Sequence, residues 1–238
     1  MITHWIHLEE LAGDPWILQI YAAINSAVEQ GRIPKPPATT YLLGLHVATR
    51  LNLLPHVVAR LNESCIALYE KIKTHDEGHV FSHEREGYAF RLDTTIKYRL
   101  IADINSLLFE FNACAELIIA FAKKLYEHAS RPSDKASIIK EIKGAYKEAK
   151  ISSRWFMLLD INRNFIAHNG TPYVAVDVSN PDRPTLLVMK GNVLNFDDPD
   201  TFISIDDLNM ISTGFSQSND LLKSLLRNLF LPSLDGKQ

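Results

Sequence analysis

From Leu92 to about Ser130, apolar residues return every three to four positions: Leu100, Ile104, Leu107, Leu108, Phe111, Ala115, Ile118, Ala122 and Leu125. That is the period of a single amphipathic helix. It is too long for an ordinary domain helix unless it spans a whole bundle. Whatever else the chain does, its other elements must pack along this rod.

The segments before it read as further helices. Asp14-Pro15 supplies an N-cap and a first helical residue for a helix through Ile17, Ile20, Tyr21, Ile24 and Val28, which Gly31 stops. Pro34, Pro36 and Pro37 make an extended connector. Thr39-Thr40 then opens a long apolar helix, expected to break or kink near Leu54-Pro55 and to resume from His56 to Ile72. Residues 1–90 are therefore expected to form an N-terminal helical layer packed on a core made by residues 91–238. From Thr74 to Tyr88 the chain reads as a polar loop. Its His75, His79 and His83 recur at every fourth position, as three imidazole ligands on one helical face would. Gly78 and Gly87 argue against a helix there, so the loop reading is preferred and no metal or other cofactor is expected.

After the long helix, Arg131-Pro132-Ser133-Asp134 turns into a short basic helix, Lys135 to Lys150, and Ser152-Ser153 caps the next one. That helix carries Leu158, Leu159, Ile161, Phe165 and Ile166 as an apolar stripe, and Asn169-Gly170-Thr171-Pro172 stops it. Beyond Gly170 the period changes. Tyr173 to Val178 and Thr185 to Met189 flank a Ser-Asn-Pro-Asp turn, predicting a β-hairpin at about 172–190 that must lie against helices to be stable. A last amphipathic helix, capped by Ser204 or Asp206, runs to just before Pro232.

Two residues near the end of the helix that Ser152-Ser153 caps can both handle a phosphate. Arg163 has a planar fork of donors that matches phosphate oxygens. His168 is of the one residue type whose ordinary proton affinity lies near neutrality. On an α-helix they stand ~140° apart on the wheel, so they meet one ligand only at a frayed turn or between two copies of the chain. The spacing Arg163-Asn164-Phe165-Ile166-Ala167-His168 resembles the Arg-x4-His signature of the HEPN domain superfamily, small all-α domains of which many are metal-independent ribonucleases. The resemblance implies an all-α, up-and-down bundle with Arg163 and His168 as the catalytic pair and Asn164 as their polar neighbour. It also implies a homodimer in which both pairs line one cleft. A role in defence, stress or toxin–antitoxin systems, with an antitoxin or nucleotidyltransferase-like partner, comes from the resemblance alone. Asp103, Ser106 and Glu110 repeat on one face of the long helix, with Asn112 and Glu116 further along. The first three resemble the polar residues that hold the motif in place in such domains, and Arg163 is the expected partner of one carboxylate. The same residues also read as an ordinary polar edge, and Arg163 with His168 as a surface cation and a helix cap.

The chemistry open to such a pair is specific. An RNA 2′-hydroxyl can attack its neighbouring phosphorus without a metal if one group takes the proton and another steadies the phosphoryl charge. DNA lacks that hydroxyl and would be inert. Net charge is only −3 and 46% of residues are hydrophobic, the composition of a soluble globular protein. Yet between Lys123 and Arg154 there are nine basic and four acidic residues, a local surplus that would attract a polyanion or simply form a solvated, ion-paired face. Two isolated cysteines, Cys65 and Cys114, fit a reducing cytoplasm, and neither a secretory signal nor a membrane-spanning apolar run is expected. Binding of RNA or a nucleotide without turnover, and a purely helical scaffold, remain the competing readings.

Overall fold

In a computed structural model of the chain, residues 15–74, 79–80, 88–89, 93–180, 182–191 and 198–232 are described. Six α-helices and five short strands occur among them: α1 (Pro15–Glu29), α2 (Ala38–Lys73), β1 (His79–Val80), β2 (Tyr88–Ala89), α3 (Thr94–His128), α4 (Lys135–Glu148), α5 (Arg154–Asn164), β3 (Tyr173–Asp177), β4 (Thr185–Met189), β5 (Phe202–Ser204) and α6 (Ile205–Asn228). The fold is thus mostly helical, with a small three-stranded antiparallel sheet ordered β3-β4-β5.

Local chemistry sets most of the boundaries. Helix α1 starts at Pro15 and ends where Gly31 takes φ +66°, a conformation that costs a glycine nothing. Asp14, the expected cap, is outside the described residues. Asp93 caps α3 by accepting from the Thr95 N–H at 2.6 Å, and Asp134 caps α4 by accepting from Ser137 N–H at 2.9 Å. Ser204 and Asp207 form a reciprocal capping box at α6. At α5 the expected serine pair works through Ser152, whose hydroxyl accepts from Arg154 N–H at 3.2 Å, whereas Ser153 makes no side-chain cap bond.

Three expectations need correction. Of the break or kink expected at Pro55, the break does not occur: α2 runs through it as one 36-residue element. Pro55 lies on the solvent side, so water can serve the carbonyl that loses its intrahelical donor. The Thr74–Tyr88 connection contains the strand pair β1-β2, with His79 opposite Ala89, while His75 and His83 fall outside the described residues. The sheet gains a third strand, β5, which pairs Val188 with Ile203 and leads straight into α6. A strand of three residues, Phe202-Ile203-Ser204, is too short to leave an alternating pattern in the sequence.

Helices α2 and α3 form the most extensive contact and run antiparallel. Their ion pairs record the register: Arg50 with Glu110, Arg60 with Asp103 and Glu63 with Arg99. By length and composition each could cross a membrane, their most apolar windows having mean hydropathies of 1.2 and 1.5, which qualifies the expectation that no such segment exists. In the fold both bury one face in a core shared by all six helices and the sheet. Helix α5 is seated on that core by an aromatic chain: Phe111 of α3 meets Phe215 of α6 at 5.0 Å between ring centroids, and Phe215 meets Trp155 of α5 at 5.7 Å. Gly214 permits the approach, since a Cβ there would stand 2.5 Å from the Trp155 ring.

Candidate functional site

The motif lies where α5 changes character. Arg163 and Asn164 complete the α-helix, and Phe165–Asn169 continue it as a single π-turn that ends at Gly170, φ +145°. The sequence predicted an α-helix to this point. A π-turn uses i→i+5 hydrogen bonds and more residues per turn, so each residue rotates less and positions five apart come closer to alignment. The ~140° separation expected of Arg163 and His168 on an α-helix is thereby reduced. Such turns occur mostly as local insertions and frequently at functional sites.

The side chains nevertheless divide. Ile161, Asn164, Phe165, His168 and Lys190 line an open cleft of about 570 Å³. The His168 side of it faces solvent. Arg163 does not line the cleft but turns back toward α3. Its guanidinium donates to Asn164 Oδ1 at 2.7 Å and stands 3.7 Å from a Glu116 carboxylate oxygen. Its Nε is buried without a hydrogen-bond partner, an uncomfortable state for so strong a donor. Asn164 is the link: it faces the cleft and holds the arginine.

Glu116 also accepts from Asn112 Nδ2 at 2.9 Å, so Asn112, Glu116, Arg163 and Asn164 form one polar chain from α3 to the cleft. Asp103 and Glu110 are the carboxylates first expected to pair with Arg163. Both are committed elsewhere. Buried Asp103 accepts from Arg60 Nε and Ser64 Oγ, each at 2.5 Å, with Arg99 at 3.9 Å, and Glu110 pairs with Arg50. Ser106 is half-buried on the same helix. Asp103 lies ~20 Å along the helix axis from Glu116, at 1.5 Å per residue, too far to touch the motif. The partner is a carboxylate of the long helix, but Glu116 lies about two to four turns beyond Glu110 and Asp103. Lys190 had no sequence signal at all, because only the folding of β4 against the helices carries it to His168.

Among the described residues no group of three or more His, Cys, Asp or Glu side chains is placed to hold a metal. The cleft's donors are an imidazole, an amide and an ammonium, which suit an anion better than a cation. The chain matches no family model, no curated protein and no solved structure.

Proposed function

We propose that the protein is a metal-independent RNA endonuclease of HEPN type, with His168, Asn164 and Arg163 as its working residues. The observation that carries this reading is that Asn164 and His168 line one open cleft at a π-turn, with Arg163 one hydrogen bond behind. In the reaction a neutral His168 nitrogen takes the proton of an RNA 2′-hydroxyl. The 2′-oxygen bonds to phosphorus, the P–O5′ bond breaks, and a proton returns to the departing 5′-oxygen, leaving a cyclic phosphate and a 5′-hydroxyl. Charge gathers on the phosphoryl oxygens, and Asn164 with Arg163 behind it offers donors to meet it. A substrate phosphate competes with the mostly exposed Glu116 carboxylate for Arg163.

A homodimer supports the same chemistry. Met157 and Ile161, 54% and 49% exposed, form an apolar strip on α5 leading into the cleft, where a second copy would bring a second histidine for the leaving group. The cytoplasm, with its RNA and its reducing conditions, is the compartment this reading implies. The test is cleavage of labelled RNA without metal by the wild type and His168→Ala. A loss of roughly 10²–10⁴-fold with an unchanged melting temperature is expected; undiminished cleavage by the variant would refute the assignment. A second reading, RNA or nucleotide binding without turnover, is favoured by one observation, that Arg163 faces away from the cleft. Wild-type protein that binds RNA but never cleaves it would establish that reading instead.

A further inference from the structure

We propose that Lys190 is the phosphate-binding cation of the cleft and Phe165 the platform on which one unpaired base of an RNA strand stacks. The proposal rests on the ribonuclease reading for the identity of the ligand, while its cation, Lys190, lies outside the motif. Among the described residues five side chains line the cleft, and the permanent cation of that set is Lys190. It belongs to the sheet, not to the motif helix, and sits just past β4. Its backbone N–H donates to the Thr201 carbonyl at 2.8 Å, fixing where the side chain starts.

The two cations differ in readiness. Arg163 already faces Asn164 and Glu116, so a phosphate must first draw it from a carboxylate. Lys190 has no carboxylate within ion-pair distance among the described residues, whereas Arg50, Arg60, Arg99, Arg131 and Arg163 all do. An incoming phosphodiester meets an uncommitted ammonium, and neutralising it displaces only water and counterions. Across the same cleft, half-buried Phe165 offers an aromatic surface with 49%-exposed Ile161 beside it. A cation that takes the backbone beside an aromatic that takes a base is the pairing used to hold single strands. A base inside a duplex is already stacked and cannot offer that face. The cleft's volume of about 570 Å³ is in the range of small-ligand sites, roughly 300–1,000 Å³.

The experiment measures binding of a short, fluorescently labelled 2′-O-methyl RNA strand, which cannot be cleaved by 2′-hydroxyl attack, to the full chain over a salt series. Lys190→Gln should weaken binding roughly tenfold and reduce the slope of log affinity against log salt by about 0.7, the value for one contact to a single strand. Lys190→Arg should restore the slope. Phe165→Leu should weaken single-strand binding roughly tenfold, leaving the slope and the binding of a duplex of the same sequence unchanged. Melting temperatures check that each variant is folded. Wild-type affinity and slope in Lys190→Gln overturn the assignment; if His168-dependent cleavage of unmodified RNA persists, the ribonuclease reading survives that failure. Lys190-dependent binding without any cleavage leaves this site standing and removes the nuclease. A wild type that neither binds nor cleaves overturns both.

Discussion

The α2–α3 hairpin and the π-turn at the end of α5 use similar residues to opposite effect. In the hairpin every arginine named above has an acid: Arg50 with Glu110, Arg60 and Arg99 with Asp103, Arg99 with Glu63. Asp103, 2% exposed, is held by two arginines and a serine, as a buried charge must be. At the π-turn, Arg163 meets the mostly exposed Glu116 and keeps its Nε without a partner, His168 is exposed, and Lys190 meets no acid among the described residues. Polar groups whose needs are met inside the fold hold it together. The exposed imidazole and the ammonium at the cleft are the groups available to a ligand.

That contrast can be broken from either side. Arg163→Ala should reduce RNA cleavage roughly 10²–10³-fold, the usual effect of losing one donor to a developing oxyanion. Its melting temperature should hardly move; a large fall would place Arg163 with the structural arginines. Asp103→Ala should do the reverse, removing about 2 kcal/mol of stability by stranding Ser64 and two arginines. Denaturant unfolding measures the loss, and cleavage per folded molecule should stay at the wild-type level.

Gly214→Ala tests the seat of α5. A Cβ at 2.5 Å from Trp155 overpacks the α5–α6 contact and should cost about 1–3 kcal/mol. Cleavage should fall as well, because the motif helix shifts with Trp155; unaltered activity would mean the site tolerates movement of its own support.

A smaller effect concerns Cys65 beside the hairpin's charge network. Burial, and then the nearby Asp103 charge, push its thiol up to about 11 from 9.0. The sign follows directly: the protonated thiol is favoured in the folded chain, so its contribution is complete below pH 9 and is lost as pH rises toward 11. Native protein at pH 9 should therefore show little thiolate absorbance from Cys65, and Asp103→Asn should bring the titration lower. Half-ionisation at pH 9 in the folded wild type would contradict this. The least effect on stability is expected of Glu116→Gln. The carboxylate is 69% exposed and its pair with Arg163 contributes well under ~1 kcal/mol. RNA affinity should nonetheless rise a few-fold as Arg163 is freed; weaker binding would make Glu116 a support for Arg163 and not its competitor.

Much of the architecture was legible along the chain because its causes are local. Apolar period placed the long α3 and the terminal α6, Asp134 and Ser204 marked starts, and paired alternating runs marked β3 and β4. A capping side chain meets an amide two or three residues away, and a helix face repeats every 3.6 residues, so neither needs the rest of the fold. The Arg163–His168 spacing, too, needed only six adjacent letters.

Partnership was not legible in this way. Asp103 chose Arg60, Glu110 chose Arg50, and Arg163 turned to Glu116, selections that depend on the crossing and register of helices tens of residues apart. The π-turn, the continuation of α2 through Pro55 and the arrival of Lys190 beside His168 are of the same kind. Periodicity says which face of an element is apolar. Only packing decides which other face it meets, and therefore which charges are spent on the fold and which stay free to hold a phosphate.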